Sequence, residues 1–179
     1  MRVITGTARG MTLRTLEGND VRPTTDKVKE AVFSAFQFEI EGRRILDLFA
    51  GSGQLGIEAL SRGAESAVFV DADKNAVKIV KENLAKTKLD GKATVVQTDS
   101  IAFLSMTDRV FDIAFLDPPY ERGFLQKALA KMENLISDGG AVICEHPFRE
   151  ELDDSYGSLV KTKEYKYSKT AVTVYRKEG

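Results

Sequence analysis

The last two β-like runs of this chain, residues 159–167 and 170–175, are separated by Ser168-Lys169 alone. Two residues can close an antiparallel hairpin, but they cannot hold the crossover that a parallel pair requires. Upstream the pattern is the opposite. Predicted strands at 45–49, 66–70, 93–97, 110–116 and 140–145 alternate with predicted helices at 54–61, 73–86, 100–105 and 124–136. In the last helix Leu125, Leu129, Met132 and Ile136 share one side. Such alternation calls for a parallel sheet with helices on both faces. The expected fold is therefore α/β, a parallel sheet that finishes in an antiparallel hairpin, and 179 residues suit one domain with a small appendage.

The apolar run at 110–116 stops on Asp117-Pro118-Pro119-Tyr120. Neither proline can donate a ladder hydrogen bond and both fix φ, so the strand has reached the edge of its sheet. The tetrapeptide displays a carboxylate, a backbone carbonyl with no competing N–H nearby, and an aromatic face. Those groups suit a planar ring that bears an amine. A turn closed by prolines would look the same, so the neighbours must decide.

Gly51-Ser52-Gly53-Gln54-Leu55-Gly56 is a G-x-G-x-x-G between a predicted strand and a predicted helix, and Asp71 lies twenty residues beyond Gly51. The glycines allow a tight turn and close backbone approach, and an acid after the second strand can hold both ribose hydroxyls of an adenosine cofactor. This fingerprint fits NAD and S-adenosylmethionine alike. Asp47 separates them, because an acid four residues before Gly51 would crowd a pyrophosphate but suits the ammonium end of S-adenosylmethionine. After the third strand, Asp99 can accept from an adenine amino group, although Asp99 or Ser100 could equally cap the next helix. The acids after strands one to four form a row along the carboxyl edge, where open α/β sheets bind ligands. The cofactor candidates are Asp47, Phe49, Gly51, Ser52, Gly53, Gly56, Asp71, Ala72, Asp99 and Ser100.

Charge is uneven. Residues 1–30 carry six Lys/Arg against four Asp/Glu, residues 31–160 fourteen against twenty-one, and residues 161–179 six against two. Basic ends on an acidic body suggest that the termini face a polyanion. Short β-like runs at 2–5 and 11–16 predict a hairpin extension over 1–24, leaving 25–179 for the main domain. Arg22-Pro23-Thr24-Thr25-Asp26 supplies caps for a helix whose apolar face is Val28, Ala31, Val32, Ala35 and Phe36. Lys161, Lys163, Lys166 and Lys169 read first as a solvated strand face. Cys144 is the only cysteine and His146 the only histidine, and both read as structural. With no disulfide, no secretory signal and no apolar stretch of about 20 residues, a cytoplasmic protein without a membrane span is expected.

The segment Phe49-Ala50-Gly51-Ser52-Gly53, with Leu55-Gly56-Ile57-Glu58-Ala59-Leu60-Ser61-Arg62-Gly63-Ala64, resembles the RsmD family of small-subunit ribosomal RNA guanine-N2 methyltransferases. So do Arg22-Pro23-Thr24-Thr25-Asp26-Lys27-Val28-Lys29-Glu30 and the D-P-P-Y tetrapeptide, and the likeness runs from Gly6 to the terminal hairpin. Lys27 and Lys29 stand where that family usually has arginine, and Met11 replaces the second arginine of a G-x-x-R-G-R element. The resemblance implies the seven-stranded, Rossmann-like class I methyltransferase sheet with S-adenosylmethionine as cofactor and no metal. It implies methyl transfer to the exocyclic amine of a guanine in 16S ribosomal RNA, within a small-subunit particle, by a monomer. Asp117, Pro118, Pro119 and Tyr120 would be catalytic, and Arg9, Arg22, Thr24, Lys27 and Lys29 would contact RNA. An adenine, cytosine or glutamine acceptor, a nicotinamide-dependent oxidoreductase and a non-catalytic RNA-binding module are the alternatives.

Overall fold

The computed structural model describes residues 1–16, 26–119 and 123–179. Its elements run α1 (Asp26–Ala35), β1 (Arg44–Asp47), α2 (Gln54–Ser61), β2 (Ser66–Asp71), α3 (Lys74–Thr87), β3 (Ala93–Gln97), α4 (Ser100–Met106) and β4 (Phe111–Leu116). There follow α5 (Phe124–Leu129), β5 (Ile136–Pro147), β6 (Ser155–Tyr156), β7 (Leu159–Tyr167) and β8 (Thr170–Lys177). One sheet holds all eight strands in the order β3-β2-β1-β4-β5-β8-β7-β6. The first five are parallel, while β8 pairs antiparallel with both β5 and β7. The expected α/β sheet and terminal hairpin are present, with eight strands rather than seven. The additional strand, β6, has two residues and pairs only with β7, so no period-2 pattern could announce it.

Strand order reverses between β1 and β4, which opens a crevice at their carboxyl ends. Side-chain alternation divides the apolar residues into two layers. Ile45, Phe69, Ile113, Phe115, Ile143 and Val172 face one way, under α1, α2 and α3. Leu46, Val68, Ala114, Leu116, Val142 and Cys144 face the other, against α4 and α5. Every residue of α2 is buried, so this helix lies inside the domain rather than on it. In α3 the Asp73 carboxylate caps the first turn from 2.8 Å at Asn75 N–H, and Lys88 ends the helix in a left-handed conformation at φ 60°.

One expectation fails. The predicted helix 124–136 stops at Leu129, and Ile136 belongs to β5, where it pairs with Phe111. Leu125, Leu129 and Met132 do reach the core as a helical face would, but the sheet claims Ile136 through a register irregularity between Phe111 and Ile113. The two N-terminal β-like runs pair antiparallel only through one bridge, Arg2 to Thr12, with Val3 N–H donating to the Met11 carbonyl at 3.0 Å and Leu13 N–H to the Met1 carbonyl at 2.8 Å. Ile4 and Thr5 donate to Glu58 at 2.8 and 3.0 Å, and Thr7 donates to the Ser61 carbonyl at 2.8 Å. Among the described residues no helix is long and apolar enough to cross a membrane.

Candidate active site

Strand parity gathers the acids of the carboxyl edge on one face. Asp71 of β2, Asp47 of β1 and Asp117 after β4 lie two residues beyond Phe69, Ile45 and Phe115, all in the layer under α1 to α3. Glu145 of β5 stands in the same relation to Ile143. In spatial order the row reads Asp71, Asp47, Asp117, Glu145.

Asp47 is 2 % exposed and accepts a hydrogen bond from Gly56 N–H at 3.0 Å. Burial pushes its pKa up to about 8, against the pull of that N–H and with the Asp117 and Asp71 carboxylates adding to the rise. A carboxyl raised in the folded state favours folding below its unfolded pKa near 4, and that advantage is lost as pH rises through about 8. The ligand-free protein should therefore lose thermal stability relative to Asp47→Asn between about pH 5 and 8, measured as melting temperature on both proteins. A constant difference across that range would show that Asp47 is not held protonated.

The loop before α2 needs its glycines for different reasons. Gly51 and Gly53 adopt φ of 58° and 82°, where L side chains are strained. At Gly56 a Cβ would overlap the Phe69 ring, so the helix can sit this close to β2 only without a side chain. Asp71 closes the loop from the far side, accepting from Gly51 N–H and Asp73 N–H, each at 2.9 Å. Its carboxyl is also raised, chiefly by burial. No lysine or arginine lies within residues 47–56. The Gly56 N–H at the start of α2, where a pyrophosphate would seek a donor, is already taken by a buried acid. The donor set therefore fits a cationic amino-acid tail and a ribose, and it disfavours a dinucleotide.

The remaining predicted residues divide. Asp99 caps α4, accepting from Ala102 N–H at 2.8 Å with one carboxylate oxygen, and Ser100 is buried in the first turn. Phe49 packs on Phe124 with ring centroids 6.0 Å apart, while Ala72 is exposed between Asp71 and the α3 cap. Ser52 is buried, Pro118 is buried and Pro119 exposed. Arg9 and Lys27 are exposed. Tyr120, Arg22 and Thr24 lie outside the described residues.

The family model described as Conserved hypothetical protein 95 matches residues 1–176. The chain belongs to this family, the RsmD family of methyltransferases. It is 41 % identical to YlbH of Bacillus subtilis over 184 residues, covering the whole of both chains. It is 39 % identical to Ribosomal RNA small subunit methyltransferase D of Escherichia coli K12, over 78 % of this chain and 68 % of that one. The solved structure of yhhF from Escherichia coli superposes with a TM-score of 0.89 at 32 % identity, over 99 % of this chain and 98 % of that one.

One residue of the RsmD-like 22–30 segment does not face RNA here. Lys29 is fully buried, with Nζ 3.1 Å from Glu58 Oε1 and donating to the Arg2 carbonyl at 3.2 Å. Its neighbours Val28 and Phe33 are also buried, so Lys29 falls on the inner side of α1 and phosphate contact is corrected to an internal ion pair. Glu58 gathers Ile4 N–H, Thr5 N–H, Lys29 and Arg62 Nε. Burial alone would raise its carboxyl, but the Ile4 N–H and the two cations bring it below the usual range. Asn83, overlooked in the sequence, donates to the carbonyls of Ser52 and Arg14, both at 2.9 Å, and accepts from Arg14 N–H at 2.8 Å. It ties the N-terminal segment to the glycine loop. The only hint was a polar residue within the apolar stripe of α3.

His146 is buried with Nε2 2.7 Å from Thr173 Oγ1, and burial raises the Cys144 thiol far above its ordinary value.

Proposed function

We propose that this RsmD-family protein transfers a methyl group from S-adenosylmethionine to the exocyclic N2 amine of a guanine in small-subunit ribosomal RNA. The observation that carries the reading is the single-face row Asp71, Asp47, Asp117 at the point where strand order reverses. The name of the Escherichia coli relative, with its ribosomal RNA substrate, supports the substrate class.

Asp71 is suited to the ribose hydroxyls and Asp47 to the ammonium group, with the Gly51–Gly53 turn passing close to the ligand and Phe49, Ala72, Asp99 and Ser100 bordering the adenine side. S-adenosylmethionine supplies an electrophilic methyl group on a sulfonium. The chain's own task is to present the amine. A guanine amine is a poor nucleophile because its lone pair is delocalised into the ring. The Asp117 carboxylate and the Pro118 carbonyl accept its two N–H bonds, turning the lone pair out of the ring plane. Both acceptors gain strength as positive charge develops on nitrogen, so they favour the transition state over the ground state. Pro119 keeps the turn rigid, and Tyr120 stacks on a base drawn out of the RNA. Asp117 or water takes the proton. Most of the rate gain comes from holding the reacting atoms in line.

Residues 1–24 act in this reading as an RNA-facing extension of the 25–179 methyltransferase domain. Arg9, Arg22, Thr24 and Lys27 are its contacts, and the protein works as a cytoplasmic monomer on an assembling particle. The test is to incubate the protein with labelled S-adenosylmethionine and unmodified small-subunit particles, then digest to nucleosides for mass spectrometry. N2-methylguanosine is expected. Label found only in methyladenosine or methylcytidine overturns the acceptor, and thermal stabilisation by NAD alone overturns the cofactor.

A further inference from the structure

Beside the proposed amine-holding residues lies a cleft, partly open to solvent and lined by Val28, Lys29, Asp117, Glu145 and Val172 among others. Its walls are mostly apolar, with Phe115 and Ile143 beneath the two acids. β4 and β5 are adjacent and parallel, and Leu116 pairs with Cys144. The next residue along the chain from each of these is Asp117, just past the end of β4, and Glu145 of β5. Parity turns both toward α1, and both line the same cleft. Glu145 is 7 % exposed, so its carboxylate belongs to the cleft wall rather than to the outer surface.

The edge of guanine that carries the N2 amine also carries N1–H, a donor immediately beside it. Adenine and cytosine present the reverse, an amine beside a ring nitrogen with a bare lone pair. A single carboxylate with a backbone carbonyl holds any exocyclic amine. A second carboxylate next to the first tells these bases apart, because it accepts N1–H from guanine and repels a lone pair. In an apolar cleft that repulsion is not relieved by water.

We propose that Glu145 is the residue that selects guanine, its carboxylate accepting N1–H while Asp117 and the Pro118 carbonyl hold the adjacent amine. The proposal rests on the methyl-transfer reading given above. It assigns Glu145 to substrate choice and leaves the cofactor side of the row to Asp47 and Asp71.

The experiment has two steps. The wild-type product on unmodified particles is first identified and its position mapped. Particles are then reconstituted with guanine or 2-aminopurine at that position, the latter keeping the 2-amine but replacing N1–H with a lone pair. Wild type should prefer guanine by roughly 100-fold in kcat/KM, the scale of a lost base-edge contact that leaves a buried polar group unpaired. Glu145→Gln, whose amide can turn to donate to N1, should narrow that preference to less than about 10-fold, and Glu145→Ala should narrow it while lowering activity on guanine. S-adenosylmethionine binding should stay within about twofold in both variants, which a merely damaged fold would not preserve. An unchanged guanine preference in both variants overturns the role of Glu145 while the methyl-transfer reading stands. A wild-type product other than N2-methylguanosine overturns that reading, and the proposal with it.

Discussion

Asp117→Ala will lose methyl transfer on small-subunit particles by on the order of 10³-fold in kcat, while S-adenosylmethionine binds as tightly as to the wild type. The asymmetry follows from where Asp117 stands. It follows the end of β4, on the acceptor side of the row, and the cofactor-side acids Asp47 and Asp71 are on β1 and β2. An acceptor that matters most once charge has built on the amine acts on the transition state and hardly on cofactor affinity. Asp117→Asn keeps one carbonyl acceptor and should fall between the two. Single-turnover transfer with calorimetric titration of the cofactor makes the comparison. Activity within about tenfold of wild type in the alanine variant, a barrier change of only about 1.4 kcal/mol, would falsify the role given to Asp117.

Glu58→Ala should destabilise the fold by about 3–5 kcal/mol, the cost of leaving a buried charge without its partner. Four groups converge on this carboxylate, and Lys29 beside it has no solvent exposure. Truncation strands the ammonium, two backbone N–H groups and the Arg62 guanidinium together. For a chain of this size the melting temperature should drop by roughly 6–20 °C. Pairing Glu58→Ala with Lys29→Met should recover part of the loss, because an uncharged side chain no longer requires a counter-ion. The double variant separates the ion pair from the amide bonds to Ile4 and Thr5. A single-variant loss below about 1 kcal/mol in denaturant titration would place Glu58 among ordinary surface carboxylates. The effect bears on function because the same network holds α1 and the N-terminal segment against α2, whose first turn carries the glycine loop.

Local pattern and covalent geometry made much of this legible in advance. The β-strands other than β6 and the helices α2, α3 and α4 were readable because apolar periodicity, glycines and caps act over a few residues. The G-x-G-x-x-G turn was equally visible, with left-handed φ at Gly51 and Gly53 and no space for a Cβ at Gly56. Helix 124–136 was not, since Ile136 satisfies a helical face and a strand equally and the decision came from Phe111 across the sheet. Asp99 offered two readings from its neighbours alone, and its carboxylate went in part to the cap of α4.

By itself the sequence determined the α/β class, the antiparallel finish, the positions of the acids along the chain and the family, because each depends on spacing within one segment. The tertiary structure alone decided which charges face inward. Lys29 and Lys27 are two residues apart on one helix with the same chemistry, yet one is sealed against Glu58 and the other is exposed. That choice depends on how α1 rolls onto α2. The pairing of β4 with β5 likewise set Glu145 beside Asp117, twenty-eight positions away in the chain. Burial and neighbourhood are properties of packed surfaces, and no local rule carries them.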